Sequence, residues 1–196
     1  MTTANSRTAE HDISPIFLER WSPRAFTGES ISEGELRTLF DAAHWAPSSF
    51  NSQPWRFIYA RRDNAHWDKF LGLLTEFNRS WAKAASAIVF IVSSETFIPP
   101  GKLEPAALRT HAFDAGAAWG YLALQASLSG WAAHGVAGIE WDKINEALNV
   151  PKGFTVQAGI IIGKQGPKES LPEGLQAREK PSDRQPVSEL AFEGGF

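Results

Sequence analysis

Residues Ala46–Phe57 read APSSFNSQPWRF. Ser48, Ser49, Asn51 and Gln53 stand among Pro47 and Pro54, and the aromatic-rich run WRFIYA follows at once. Proline pins φ and disfavours helical geometry in the residue before it, so the stretch reads as a loop. Two uses suit such a loop. It is either a plain helix-to-strand connection or a rigid rim whose amides and hydroxyls, able to donate and accept, read the edge of a flat heterocycle.

On the N-terminal side of this loop, Ser32 and Glu35 fit a capping box. Leu36, Leu39, Phe40 and Ala43 recur at helical spacing, which predicts a helix from Ser32 that Pro47 closes. On the C-terminal side, 55–60 reads as a strand. Further upstream, Ile13, Ile16 and Phe17 share one face of a short helix predicted over 12–20, and Pro23 pushes Ser22 out of helical geometry. Residues 65–77 read as one helix. AIVFIVS from Ala87 is an uninterrupted β-branched and aromatic run, the pattern of a buried strand.

Residues 94–109, punctuated by Pro99, Pro100, Gly101 and Pro105, read as a loop. A long helix is predicted over 110–129, stopped by Gly130. Within it Gly116 and Gly120 lie four apart and leave a flat strip where another backbone can approach, from the same chain or from a second subunit. Residues 141–149 suit a further helix, and TVQAGIIIG from Thr155 a further buried strand. Beyond Gly163 proline, glycine and mixed charge dominate. Val187, Leu190 and Phe192 there favour a tail draped over another surface.

The chain of 196 residues is long enough for one substantial core and shows no internal repeat, so a single domain over 1–196 is expected. A net charge of -3 argues against a nucleic-acid surface. Cysteine is absent, which excludes disulfides, thiolate catalysis and cysteine-held metals or clusters. The opening MTTANSRTAEHD lacks the basic start and apolar stretch of a secretory signal. No apolar run reaches the roughly 18–20 residues a bilayer requires, so a soluble, cytoplasmic protein with no membrane partner is expected. Eight tryptophans and thirteen phenylalanines suit either a dense core or a site for a planar ligand.

Several chemistries lack their motifs. No phosphate loop, no strand-linked G-x-G-x-x-G and no G-x-S-x-G elbow occurs. The five histidines are scattered without ligand spacing, so no metal is expected. Cationic and amide groups remain. In RWSPR, Arg20 and Arg24 flank Trp21, Ser22 and Pro23, and two guanidinium groups converging with a hydroxyl form an anion clamp, or else make ordinary surface ion pairs. Taken with the 46–57 loop, this inventory matches flavin mononucleotide (FMN): arginines for the phosphate, amides and hydroxyls for the pyrimidine edge.

On these residues the chain resembles the FMN-dependent nitroreductase family along nearly its whole length. The resemblance is carried by RWSPRAF (20–26), PSSFNSQPWRF (47–57), Asn78, GAAWGYLALQA (116–126), AGIEWDKINEALNVP (137–151) and SDRQPVSEL (182–190), in the family's order. It implies an α+β, three-layer fold: a mainly antiparallel sheet flanked by helices. It further implies an intertwined homodimer with exchanged C-terminal tails, residues 164–196 wrapping the partner, and two interfacial FMN sites.

By the same resemblance, Arg20, Trp21, Ser22 and Arg24 would hold the phosphate and pyrimidine side of the flavin. Asn78 would add an amide contact, and Arg184 would complete the anion site. Pro47, Ser48, Ser49 and Asn51 would reach the flavin of the other subunit, while backbone N–H groups at Ala137 and Gly138 would face flavin N5. The implied activity is ping-pong transfer of hydride from NAD(P)H through the flavin to nitroaromatic, quinone or flavin acceptors, with no catalytic side chain. A flavin reductase feeding a monooxygenase and a non-catalytic flavin-binding protein are the alternatives. Three departures stand out. Trp81 occupies a place where many relatives have lysine, Ala137 stands where some have glutamate, and 94–109 is short beside members that build a helical lid there.

Overall fold

The computed structural model describes residues 5–196. In chain order its elements are α1 (Ile16–Glu19), α2 (Glu33–His44), β1 (Trp55–Arg61), α3 (Trp67–Gly72), α4 (Glu76–Ala82), β2 (Ala87–Ser94), β3 (Thr96–Phe97), β4 (Ala106–Ala107), α5 (His111–Leu128), β5 (Ala132–Val136), α6 (Trp141–Ala147), β6 (Phe154–Gly163) and α7 (Glu173–Gln176).

β2 is apolar on both faces and buried from Ala87 to Ser93, so it takes a central place with a neighbour on each edge. It pairs antiparallel with β1 and with β6, and β5 adds to the far edge of β6, giving the order β1-β2-β6-β5. Side chains alternate across the pleat. Ile88, Phe90 and Val92 join Val156 and Ile161 beneath α3, α4 and α6, while Ala87, Val89 and Ile91 join Ile160 and Ile162 beneath α2 and α5. The result is the expected α+β, three-layer fold with an antiparallel sheet.

The helix over 32–44 forms with both arms of its capping box: the Glu35 N–H donates to Ser32 Oγ at 3.2 Å, and the Ser32 N–H to Glu35 Oε2 at 3.0 Å. The helix expected over 12–20 shrinks to Ile16–Glu19, because Ser14 precedes Pro15 and is steered away from helical geometry. Ile13 and Phe17 remain exposed. The helix expected over 65–77 is two helices. Leu74 bridges to Ile139, and the Thr75 N–H donates to Gly138 O at 3.0 Å, so tertiary pairing interrupts the run and restarts it as α4. β5 was not foreseen, since AAHGV has no apolar run, and the 94–109 loop carries the two-residue ribbon β3–β4.

The first half of the 164–196 segment does not leave the chain. Gln165 bridges to Phe26, the Gly166 N–H donates to Ala25 O at 2.8 Å, and Leu171 and Leu175 are buried in the core under α3 and α4. Glu179 then accepts from the N–H groups of Arg24 and Ala25 at 2.7 and 2.8 Å. A stretch free of core contact begins only after Glu179, with Leu190, Phe192 and Phe196 exposed.

Removing the N-cap by Ser32→Ala is expected to lower unfolding stability by about 1 kcal/mol, read from urea denaturation, with the native fold retained.

Candidate functional site

The RWSPR turn leaves α1 at Arg20, whose N–H still donates to Ile16 O while its own backbone is extended. Arg20 is half-buried, and its Nη1 lies 3.4 Å from Ser22 Oγ. Its pKa is held below the ordinary arginine range, first by burial and then by the positive charges of Arg7 and Arg184. Arg184 approaches from the tail, where its Nη1 donates to the carbonyls of Ser182 and Asp183 and Ser182 O in turn accepts from Arg7 Nε at 2.8 Å. Among the described residues, no carboxylate lies within 4 Å of Arg7, Arg20, Arg24 or Arg184 as an ion-pair partner. The surface ion-pair reading of RWSPR therefore fails. Arg7 belongs to this cluster, and no motif in the sequence marked it.

A cavity of about 450 Å³ opens beside the cluster, lined by Arg20, Ser22, Trp119, Gly120 and Gly135 among others. Its size is in the range of small-molecule sites. Trp21 faces a second cavity of about 510 Å³ between the turn, Trp131 and Lys164. Arg24 is turned toward Glu179 and His134, and its Nε is buried without an acceptor.

Asn78, carried by α4, is buried, and its Nδ2 donates to Gly138 O at 3.1 Å. Thr75 adds its N–H at 3.0 Å and its hydroxyl at 3.3 Å to the same carbonyl. With its C=O so held, residue 138 has no room for a side chain: a Cβ there would stand 2.3 Å from Asn78 Nδ2 and 2.8 Å from Thr75 Oγ1. The N–H groups of Ala137 and Gly138 donate to no backbone acceptor among the described residues. The helix break that sequence reasoning missed is what delivers Asn78 to this turn.

Between the two groups lies His134 on β5. Its Nδ1 is 2.9 Å from Pro23 O, and a carbonyl only accepts, so the neutral ring carries its proton on Nδ1. Burial, against the help of that hydrogen bond and with the push of Arg24 and Arg20, lowers its pKa to about 4. Trp81 packs at a tilt against His134 with centroids 4.9 Å apart and against Phe26 at 6.2 Å, and its buried Nε1 has no acceptor among the described residues. The residue that replaces the family's lysine is thus part of the core supporting the RWSPR turn.

The loop that holds Pro47, Ser48, Ser49 and Asn51 is built apart from the arginines, and the cavity lined by Arg20 contains none of these residues. Asp114, buried in the first turn of α5, accepts from the Ser49 N–H at 3.2 Å and from the Thr110 hydroxyl at 3.0 Å. Ser48 Oγ accepts from the Gln53 N–H at 3.0 Å. Phe50, Asn51 and Gln53 all have positive φ, near +50°. Such backbone costs about 1 kcal/mol or more per non-glycine residue, so the loop holds a specific shape against local preference. Gly116 and Gly120 on α5 meet nothing within 4 Å where a Cβ would stand, which removes the reading that their strip packs inside this chain.

The Nitroreductase family profile matches residues 18–164, three quarters of the chain, and the chain belongs to that family. A solved oxidoreductase containing FMN is 49% identical, superposes with a TM-score of 0.94, and covers 100% of this chain and 98% of its own. The uncharacterized 15.4 kDa protein in the ask 5′ region of Mycolicibacterium smegmatis is 34% identical over 148 residues, 71% of this chain and 95% of that protein. An oxygen-insensitive NADPH nitroreductase of Helicobacter pylori is 31% identical over 91 residues, 46% of this chain and 40% of that enzyme.

Gly138→Ala is expected to push Asn78 aside and cost about 1–3 kcal/mol of stability, measured by thermal and urea unfolding. His134 should make the fold acid-sensitive. Because its folded pKa of about 4 lies below the unfolded value near 6.5, the unfolded state binds the proton first, and stability is complete above pH 6.5 and falls as pH drops toward 4. The loss is expected to be on the order of 3 kcal/mol, and His134→Asn should flatten that part of the stability profile.

Proposed function

We propose that the chain is an FMN-dependent oxidoreductase that takes hydride from NAD(P)H and delivers it to nitroaromatic, quinone or related acceptors in a ping-pong cycle, as a cytoplasmic homodimer. The observation that carries this reading is that Arg7 donates both to Arg20 O and to Ser182 O, two residues before Arg184, which gathers these arginines near a ligand-sized cavity that Arg20 lines, with no ion-pair partner within 4 Å among the described residues. The fit to FMN rests on this chain's own chemistry. Uncompensated guanidinium groups suit a phosphate dianion, and Arg24 Nε is a buried donor lacking an acceptor. Gly138 lets Asn78 and Thr75 close on its carbonyl from one side, and the N–H groups of Ala137 and Gly138 donate to no backbone acceptor among the described residues. The FMN-containing and NADPH-dependent relatives support the cofactor and the electron donor.

When bound, FMN supplies hydride acceptance and return at its N5. Arg20, Ser22 and Arg184 grip the phosphate end, with Trp21 alongside, and Arg24 and Asn78 serve the pyrimidine edge. The N–H groups of Ala137 and Gly138 would serve as donors to the reacting part of the bound flavin and favour negative charge there. No side chain is assigned as acid or base; positioning and fixed dipoles do the work.

Pro47, Ser48, Ser49 and Asn51 serve the partner's flavin in this proposal. Its support is the loop's strained, pinned shape and its separation from this chain's own arginines. The open strip at Gly116 and Gly120, flanked by exposed Phe113, Tyr121 and Leu128, supports α5 as the pairing helix. A flavin reductase is the second reading, favoured by the 94–109 segment, which builds only the two-residue ribbon β3–β4 there.

Purified protein should be yellow, bleach on anaerobic addition of NADH or NADPH, and regain colour with a nitroaromatic or quinone. A colourless protein that gains nothing from added FMN overturns the proposal, and turnover requiring free FMN with little nitroaromatic reduction selects the reductase. Arg20→Ala is expected to weaken FMN binding about tenfold or more. Asn51→Ala should raise the FMN dissociation constant without unfolding the chain, and an unchanged constant would make that loop purely structural.

A further inference from the structure

Arg7 sits in a segment without a motif, yet its guanidinium joins three parts of the chain. Its Nε donates to Ser182 O at 2.8 Å, and its Nη1 donates to Leu18 O at 3.1 Å and to Arg20 O at 2.9 Å. One side chain of the N-terminal arm thus ties the end of α1, the first residue of the RWSPR turn, and the tail. Three backbone carbonyls in different directions are what the planar guanidinium fork can serve and a smaller cation cannot.

The tie at Ser182 falls two residues before Arg184. A second tie falls three residues after it, where the Val187 N–H donates to Glu10 Oε1 at 3.0 Å. Arg184 is therefore bracketed on both sides by contacts to the arm, although its own side chain is exposed and reaches only Ser182 and Asp183. An unbracketed tail would have to be ordered each time an anion bound, at a cost in affinity. The bracket removes that cost in advance.

The arrangement also brings like charges together. Arg7, Arg20 and Arg184 repel one another, and Asp183 is the acidic neighbour that partly offsets Arg7. A surface staple chosen only for stability has no reason to add a third positive charge here. A phosphate end does.

We propose that Arg7 is a positioning residue for the phosphate of the bound flavin, clasping the tail so that Arg184 stands beside Arg20. This rests on the FMN reading given above. FMN and riboflavin differ only in the phosphate, so comparing them separates this role from general support of the fold.

The test titrates flavin-stripped protein with FMN and with riboflavin, following flavin fluorescence, for wild type, R7A, R7K, R184A and R7A/R184A, with circular dichroism melts as a check on folding. Wild type should bind FMN more tightly than riboflavin. R7A should weaken FMN about tenfold while riboflavin changes by less than about twofold. R7K, which keeps the charge and loses the fork, should show most of the same loss, and it carries the test if R7A does not fold. R7A/R184A should bind FMN no worse than R184A, because both substitutions act through the same guanidinium. Unchanged FMN binding in R7A, equal weakening of both flavins, or fully additive losses in the double variant would overturn the inference. Wild type that binds no flavin, or binds riboflavin as tightly as FMN, would instead sink the FMN reading and this inference with it.

Discussion

The constraint on which the molecule depends is the burial of β2 on both faces. A strand with Ile88, Val89, Phe90, Ile91 and Val92 in sequence cannot present any side to water, so every backbone group must pair laterally and both faces must be covered. β1 and β6 meet the first demand. The two helical layers meet the second, each with its own apolar cluster. Once β6 is paired with β2, β5 can add only to its other edge, and the chain leaving β5 at Val136 must turn at Ala137 and Gly138. The turn proposed to face the cofactor is thus set by the pairing of β5 with β6 and of β6 with β2.

The same framework explains where the positive charge gathers. The chain before the sheet, the chain after it and the middle of β5 converge at one place, because Pro23 O is held by His134 and the Arg24 and Ala25 N–H groups by Glu179. His134 stays neutral there. A charged imidazolium would stand next to Arg20 and Arg24, so the neutral ring supports the turn without adding to its repulsion. Trp81 fits that picture. Lysine at its position would put a further cation into a buried cluster with Phe26 and His134, whereas the indole contributes contact area and no charge.

Elements governed by local pattern were legible in the sequence. The capping box of Ser32 and Glu35, the unbroken apolar runs of β2 and β6, and the long α5 bounded by Gly130 all carry their signal within a few residues. Elements governed by distant partners were not. Residues 65–77 have helical composition throughout, and only the pairing of Leu74 with Ile139 breaks them. β5 has alanine, glycine or histidine at four of its five positions and becomes a strand because β6 offers it an edge. Leu171 and Leu175 are two leucines in a polar stretch, too sparse to announce core packing. The candidate site followed the same division: RWSPR, the 47–57 loop, Asn78 and Arg184 carry motifs, while Arg7, Asp114, His134 and Glu179 matter through carbonyls and amides contributed by remote segments.

α5 poses a separate physical problem. Its Ala115, Ala118, Leu122 and Ala126 are buried against the sheet, yet Phe113, Tyr121 and Leu128 on other faces are exposed, and the glycines between them leave the backbone uncovered. A helix apolar around most of its circumference is stable in water only when more than one face is buried. The sheet accounts for one. Small residues on the open face exclude a bulky cover and admit another helix at short range, since glycine removes the side chains that keep two backbones apart. The proposed homodimer therefore draws its support from α5 itself, and Asp114 on that helix also fixes Ser49 in the rim loop. Any surface that covers α5 lies next to that rim, which is why pairing and cofactor enclosure in this proposal stand or fall together.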